Sequence, residues 1–277
     1  MTFSLLKWAS HDRVAASDMG GPRVEAGPLN SRLILDMRAD CTSYGDASTR
    51  ILSWASNHES RYVCCANVHV TMEAHDSADF RAVVNGADLV TPDGIPLVWV
   101  LHLFGATEAT QVRGTTLTAT LLKRAAARDL PVGFYGATPT VLKLLLQACQ
   151  RRFPGIRVTY AHAPPFRQLT TDEQAAVIRD INASGARILF VGLGCPKQER
   201  WMALHKGSVH AVMLGVGAAF DFLAGVKPEA PDWMQHGGLE WLFRLAAEPR
   251  RLWRRYAYHN PRFVLALAGQ YLKSVTQ

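Results

Sequence analysis

The chain has 277 residues, a formal net charge of +7, 48% hydrophobic and 19% charged residues, and a mean hydropathy of zero. This is the composition of a globular protein with a sizeable core. No apolar run approaches the roughly 18–20 residues that cross a bilayer, and the apolar stretch from Phe3 to Leu6 is too short for a signal peptide. We therefore expect a cytoplasmic protein that touches a membrane at most from its surface. Its five cysteines show no metal-binding spacing, which fits a reducing compartment.

Residues 1–30 show little periodicity and predict a loose N-terminal leader. Beyond them, short apolar runs predict strands at Leu33–Leu35, Tyr62–Ala66, Asp88–Thr91, Val132–Tyr135, Arg157–Tyr160, Ile188–Val191 and Ala211–Leu214. Amphipathic segments between them predict helices at Asp46–Asn57, Thr115–Ala127, Pro139–Arg152, Asp172–Ala183 and Pro196–Leu204. This alternation indicates an α/β fold, with a mostly parallel sheet covered by helices on both faces. We predict that this core spans residues 31–230 and that residues 231–277 form a C-terminal helical appendage.

The appendage is rich in arginine and tryptophan. Between Trp241 and Arg262 there are six arginines and one glutamate, so much of the excess positive charge lies at one end of the chain. Pro249 fits the first turn of a helix, and Asn260-Pro261 predicts its end. Four arginines are expected on one face of this helix: Arg250, Arg251, Arg254 and Arg255. A membrane-surface helix is the favoured interpretation, while a solvated basic helix and a nucleic-acid patch are the alternatives.

Two predicted strands end in glycine-rich segments. In the first, Gly192 and Gly194 allow a tight turn before a helix whose free N–H groups, with Lys197 and Gln198, could hold a phosphate. A purely structural turn is the alternative. The second segment, residues 214–225, has Phe220 where a dinucleotide-binding fingerprint would have its third glycine, which weakens an oxidoreductase interpretation. There Asp221 could bind a ligand hydroxyl or cap the following turn.

Polar residues also follow two other predicted strands. Asp93 lies between Pro92 and Gly94, so it either forms an ordinary turn or presents a carboxylate that accepts a proton at the binding edge of the sheet. Asn67 and His69 could contact substrate, although a lone histidine is more often a structural partner. No Asp-x-Asp, HExxH or clustered His/Cys motif occurs. If the substrate carries a diphosphate, backbone amides, Lys and Arg would therefore have to offset its charge in place of Mg²⁺.

Taken together, these segments resemble the WecG/TagA/CpsF glycosyltransferase family over roughly residues 31–263. The matching segments are residues 87–99, 133–139, 189–201, 215–225 and 238–255. The resemblance implies a Rossmann-like core with a helical appendage that docks on the cytoplasmic face of the membrane and completes the active site. It also implies inverting, metal-independent sugar transfer from a UDP-sugar to a sugar on a polyprenyl diphosphate. The resemblance implies no cofactor and no nucleic-acid partner, and it leaves a homo-oligomer open.

The resemblance also assigns roles to residues. Asp93 matches the catalytic base, which would deprotonate the acceptor hydroxyl. Arginines of the tail match residues that meet lipid phosphates or the donor diphosphate: Arg244, Arg250, Arg251, Arg254 and Arg255. The predicted substrate-binding residues are Cys65, Asn67, Thr91, Gly94, Arg113, Gly136, Gly192, Gly194, Lys197, Gln198, Gly217 and Asp221.

Some positions depart from the family pattern. Cys65 replaces a threonine, Gln111 an arginine and Thr116 an aspartate, so Arg113 is the candidate to compensate for the lost positive charge. Glu229 stands where Arg or Gln is common. The run at residues 67–75 favours the exopolysaccharide branch, in which glucose would be the donor sugar, with N-acetylmannosamine as the other candidate. An NAD(P)-binding oxidoreductase is the main alternative function. A nucleic-acid binder would leave residues 196–201 unexplained.

Overall fold

A six-stranded parallel sheet forms the centre of the computed structural model, which describes Gly27 and residues 29–276. Its strands are β3 (Arg61–Ala66), β4 (Leu89–Pro92), β5 (Val132–Gly136), β6 (Val158–His162), β7 (Ile188–Gly192) and β8 (Val212–Gly215). They lie in the order β4-β3-β8-β7-β5-β6, and every neighbouring pair is parallel. The predicted α/β fold is confirmed. The predicted leader lies almost entirely outside the described residues, and the predicted domain bounds stay a prediction.

The two strands that precede this sheet form a separate hairpin. β1 (Ser31–Ile34) pairs antiparallel with β2 (Met37–Asp40) across a two-residue turn. Both turn residues, Leu35 and Asp36, have positive φ angles of 51° and 67°, which is the backbone geometry that suits a tight hairpin. The strand predicted at Leu33–Leu35 is thus present, but placing it in the parallel sheet is wrong. Leu-Asp lacks the glycine that usually signals such a turn, so β2 is absent from the prediction.

Helices cover both faces of the sheet. One face carries α1 (Tyr44–Ser56), α5 (Gly114–Ala126), α6 (Pro139–Arg152) and α9 (Ala219–Leu223). The other carries α2 (Val68–Asp76), α3 (Ala78–Asn85), α4 (Ile95–Leu103), α7 (Thr171–Ala183) and α8 (Lys197–His205). Strand side chains alternate between these two cores: Val63 and Cys65 face the first, whereas Tyr62 and Cys64 face the second.

The five predicted helices are confirmed to within two residues at each end. Four short helices of the core, α2, α3, α4 and α9, are missing from the prediction. α4 is apolar on nearly every side, so its sequence shows no helical periodicity. α2 begins directly after β3, and its N-terminal cap is Asn67, whose side chain the sequence analysis interprets as a substrate contact.

The appendage consists of α10 (Asp232–His236), α11 (Glu240–Ala247) and α12 (Pro249–Val275). The predicted end at Asn260-Pro261 is wrong, because α12 continues through Pro261. Proline removes one helical hydrogen bond, but contacts on both sides of it hold the helix on the core. Leu252 and Phe263 are buried, and Gln270 accepts a hydrogen bond from the Leu35 N–H (2.8 Å). Within the described residues, no helix combines the length and the apolarity needed to cross a bilayer.

If tertiary packing holds α12 in place, its buried side chains must stabilise the fold. We expect Phe263→Ala to lower the free energy of unfolding by about 3–5 kcal/mol, because Phe263 is 5% exposed in the core. Leu265→Ala is the matched control, since Leu265 is 73% exposed on the same helix, and it should change stability by at most about 0.5 kcal/mol. Urea denaturation measures both, and equal losses would contradict the docking of α12.

Candidate active site

The predicted site residues meet at one edge of the sheet. Because all six strands are parallel, their carboxyl ends lie on the same side. Asn67 follows β3 and Asp93 follows the neighbouring strand β4, while Gly217 follows β8. Gly136 and Gly192 are paired in register at the ends of β5 and β7. This is the edge at which open α/β sheets bind their ligands.

Asp93 is held in a defined orientation at this edge. Its Oδ1 accepts a hydrogen bond from the N–H of Gly114, the first residue of α5 (3.0 Å), and its Oδ2 accepts one from Asn67 Nδ2 (3.4 Å). Gln111 donates from Nε2 to the Asp93 carbonyl oxygen (2.8 Å). The carboxylate is partly buried and retains acceptor capacity beyond these two bonds.

Asn67 links the carboxylate to the backbone of α2. Its Oδ1 accepts hydrogen bonds from the N–H groups of His69 (3.1 Å) and Val70 (3.3 Å), which leaves the amide Nδ2 to face Asp93. The capping role thus orients the amide group. Gly94 lies against Asn67, since a Cβ at Gly94 would be 3.3 Å from the Asn67 Cβ.

The charges around Asp93 act in opposite directions. Burial raises the pKa of Asp93 above its ordinary value of 3.8, and Glu240 raises it further. Arg113, the Gly114 N–H and Arg244 oppose this shift. The net rise in pKa brings the carboxyl closer to the range in which a general base works well.

Arg113 joins the start of α5 to the appendage. Its side chain is 5% exposed, and its Nε and Nη2 donate to the two carboxylate oxygens of Glu240 (3.1 and 3.3 Å). Its Nη1 donates to Gln235 and lies 3.9 Å from Glu229. Burial alone would lower the pKa of Arg113, but Glu240 and its other acidic neighbours raise it. The acidic departure at Glu229 therefore lies beside a buried cation.

Sequence reasoning includes Arg113 in the site but misses its partners in the appendage, Gln235 and Glu240. One signal was available, because Glu240 is an acidic residue directly before an arginine-rich run. Gln235 carries no comparable signal. Its Nε2 donates to the Ala230 carbonyl oxygen, so the amide is held from both ends.

Gln198 holds two glycine-rich segments together. Its Oε1 accepts from the N–H groups of both Gly194 and Gly217 (3.1 Å each), and its Nε2 donates to Glu199 Oε1 (2.8 Å). Both side chains are buried. The amide groups of Gly194 and Gly217 are therefore engaged within the protein. Lys197, at the first position of α8, is exposed.

The glycines of the site are required for different reasons. A Cβ at Gly136 would lie 2.5 Å from the Gly192 carbonyl oxygen, and one at Gly192 would lie 2.6 Å from the Phe220 ring. Close packing thus explains these two. Gly194 has a φ of 79° and open space where a Cβ would be, so a ligand can approach its backbone.

Three residues that were predicted to bind substrate are engaged by other parts of the protein. Thr91 is fully buried and donates its hydroxyl to the Val112 carbonyl oxygen (3.3 Å). Cys65 is buried, and this burial followed by Asp93 raises the pKa of its thiol to about 12. Asp221 forms a salt bridge with Lys227 (3.4 Å). In the structure, the first two support the site from the core and the third pairs with a cation at its margin.

A cationic cavity of about 560 Å³ opens beside Arg113. Its charged lining residues are Arg113, Arg151, Arg152, Lys227, Glu229 and Asp232. Glu240 pairs with Arg113, and Asp221 and Glu248 pair with Lys227, so an anionic ligand such as a phosphate group would meet chiefly Arg151 and Arg152. Arg113 connects this cavity to Asp93, whose pKa it lowers.

The five predicted tail arginines divide into two groups. Arg250, Arg251 and Arg254 are exposed on α12. Arg255 is partly buried, and burial followed by Arg251 lowers its pKa, so it lies nearer the core than the other three arginines of α12. Arg244 of α11 lies over the Phe222 ring at 5.6 Å and influences the Asp93 carboxyl.

The fold is therefore a Rossmann-like α/β sheet that carries a carboxylate at its ligand-binding edge and a basic helical appendage at its C-terminal end. The family model described as "Glycosyl transferase WecG/TagA/CpsF family" matches residues 32–277, and the chain belongs to this family. It is 29% identical over 245 residues to the N-acetylglucosaminyldiphosphoundecaprenol N-acetyl-beta-D-mannosaminyltransferase of Bacillus spizizenii, covering 88% of this chain and 91% of that protein. These comparisons give the oxidoreductase alternative no support.

The structure separates the roles of two neighbouring residues, Gln198 and Lys197. Gln198→Ala should lower the free energy of unfolding by about 1–3 kcal/mol, because the N–H groups of Gly194 and Gly217 lose their acceptor. Lys197→Ala is the matched surface change, and it should alter stability by at most about 0.5 kcal/mol. Denaturant unfolding checks both values. A Gln198→Ala protein as stable as the Lys197→Ala protein would show that the hydrogen bonds from Gly194 and Gly217 to Gln198 do not stabilise the fold.

Proposed function

We propose that this chain is an inverting hexosyltransferase that moves a sugar from a UDP-sugar to a saccharide on a polyprenyl diphosphate during surface polysaccharide assembly. Membership of the glycosyltransferase family supports the reaction class. The Bacillus spizizenii relative is named for transfer to a diphosphoundecaprenol-linked sugar, which supports the class of acceptor. The donor sugar is of the glucose or N-acetylmannosamine type. The exopolysaccharide branch remains part of this proposal.

The orientation of Asp93 is the observation that carries the proposed mechanism. Its carboxylate takes the proton from the acceptor hydroxyl while that oxygen attacks the anomeric carbon of the donor. The new carbon–oxygen bond forms as the bond to UDP breaks, and UDP leaves with the electron pair. A single displacement inverts the anomeric carbon, so an α-linked donor gives a β-linked product. Gly114 and Asn67 hold the base through hydrogen bonds of 3.0 and 3.4 Å.

In the proposed mechanism, cationic side chains of the protein, and no metal ion, stabilise the negative charge of the departing UDP. The cavity beside Arg113 supplies Arg151, Arg152 and Lys227, and Lys197 is exposed at the start of α8. Arg244 adds positive charge near Asp93. Preorganised cations of this kind stabilise charge that develops in a transition state.

Asp93→Asn tests the proposed base. We expect turnover to fall at least about 100-fold, because an amide cannot accept the proton. The fold should be retained, since an Asn side chain can still accept a hydrogen bond from Gly114. The assay uses UDP-glucose and UDP-N-acetylmannosamine with a synthetic polyprenyl-diphosphate N-acetylglucosamine. Turnover within tenfold of the unsubstituted enzyme, or no transfer by that enzyme from either donor, would contradict the proposal.

The pH profile provides the control for this assignment. Turnover should decline as the pH falls through the pKa of Asp93, which burial and Glu240 raise above 3.8. In Glu240→Gln that pKa should be lower, because a negative neighbour is lost and Arg113 is left less compensated. The acidic limb should therefore move to lower pH. A limb that stays in place would indicate that another group titrates.

We also propose that the appendage contacts the inner face of the plasma membrane as a peripheral surface. The outer side of α12 exposes Arg250 and Arg254 near its start and Trp253, Leu265 and Leu272 along its length. A helix that combines exposed cations with exposed apolar side chains binds an anionic lipid interface. This placement would also bring a lipid-linked acceptor to the edge of the sheet that carries Asp93.

Replacing Arg250 and Arg254 together by Gln should weaken binding to anionic liposomes by about 30-fold, since each nearby cation contributes about 1 kcal/mol. Co-sedimentation at fixed salt measures the partition coefficient. The matched control replaces Arg157 and Arg167 by Gln, which removes the same charge from exposed positions outside the appendage. Equal weakening by both double variants would contradict a membrane-facing α12.

A further inference from the structure

Three potential metal ligands meet where α12 packs against α2. His69 and Glu73 lie one turn apart on α2, and His259 lies on α12. Glu73 Oε1 is 3.8 Å from both His69 Nδ1 and His259 Nε2. One ligand atom from each side chain lies within 4.8 Å of the others, and this is the only such group of three among the described residues.

These groups are close but not hydrogen-bonded to one another. Both separations exceed the range of a hydrogen bond, and the Nδ1 atoms of His69 and His259 are buried without a partner. The two rings instead pack edge to face, with centroids 5.1 Å apart. Buried polar atoms of this kind normally have a partner. A cation between the side chains would provide a partner for His69 Nδ1, and His259 Nε2 faces the same carboxylate oxygen of Glu73.

We propose that His69, Glu73 and His259 bind one divalent cation, with Zn²⁺ as the ion that this donor set favours. Two imidazoles and a carboxylate are typical zinc ligands, and they leave a fourth position for water. Zinc–ligand bonds of about 2.0–2.1 Å place tetrahedral ligands about 3.4 Å apart. The two 3.8 Å separations would have to shorten by about 0.4 Å. The two histidine ligand atoms, which lie within 4.8 Å of each other, would also have to move together through side-chain rotation.

The surrounding charges are compatible with a cation. Burial, Arg255 and His259 lower the pKa of His69 to about 3, so its imidazole is in the neutral form that binds metals. Glu73 supplies a negative charge within the cluster. The neighbouring cation Arg262 is neutralised by Asp76, to which it donates two hydrogen bonds (2.6 and 2.8 Å). Arg255, which also lowers the pKa of His69, opposes binding.

A cation here would act on the structure and not on the transferred sugar. It would join the appendage to α2, the helix that begins next to Asn67. Because Asn67 donates to Asp93, the link would reach the base through one helix and one hydrogen bond. The proposed metal site is therefore separate from the site of sugar transfer, which uses no metal in the proposed function. The proposal of a metal site does not depend on that function.

Metal titration of the untagged, chelator-treated full chain tests this site without any sugar substrate. We expect one equivalent of Zn²⁺ to bind and to raise the melting temperature. One equivalent of Co²⁺ should give visible d–d absorption without a thiolate charge-transfer band. Glu73→Gln and His259→Asn should bind Zn²⁺ at least tenfold more weakly. His75→Asn should bind within twofold of the unsubstituted chain, because His75 is exposed on the same helix outside the cluster.

Three results would overturn the site. The first is the absence of stoichiometric binding by the unsubstituted chain, which needs no variant to fold. The second is equal Zn²⁺ affinity for Glu73→Gln and His75→Asn, with circular dichroism confirming that both are folded. The third is a thiolate band with Co²⁺, which would assign the metal to the cysteines.

Discussion

The buried guanidinium of Arg113 is the interaction on which the arrangement of the site depends. A buried charge must be paired, and removing one partner of such a pair costs about 3–5 kcal/mol, against about 0–1 kcal/mol for an exposed pair. The side chain of Glu240 is 24% exposed, so the cost of removing Glu240 should lie nearer the range for an exposed pair. The pairing nevertheless draws α10 and α11 onto the start of α5. The first N–H of that helix donates to Asp93, so the same short segment holds both the appendage and the base.

This arrangement makes the appendage part of the electrostatics of the site. Glu240 raises the pKa of Asp93, while Arg244, on the same helix, lowers it. The arginine-rich tail therefore contains residues of two kinds. Arg244 and Arg255 lie towards the core, whereas Arg250 and Arg254 face outward beside exposed apolar residues. The two basic helices α11 and α12 thus present some arginines towards the site and others outward, because successive residues on a helix point about 100° apart.

Sequence reasoning placed Asp93 at the binding edge of the sheet because parallel strands bring their carboxyl ends to one edge, a rule that needs only strand positions. It could not find what depends on tertiary contacts. Pro261 looks like a helix end until the buried Leu252 and Phe263 are seen on both sides of it. Gln198 looks like a ligand contact until its oxygen is found between two backbone amides. Polar residues near a site can bind the ligand or hold the site together, and local sequence does not distinguish these roles.

The same contacts make removal of the whole tail a poor probe of membrane binding. Deleting the chain after about residue 240 would remove Leu252 and Phe263 from the core and leave Leu33 and Leu35 without their hydrogen-bond partner Gln270. Apolar surface exposed in this way binds lipid and other chains nonspecifically. Such a protein could lose activity or gain adhesion for reasons unrelated to a docking surface. Changes confined to the outward side chains of α12 avoid this problem, because those side chains contribute little to the packing that holds the base in place.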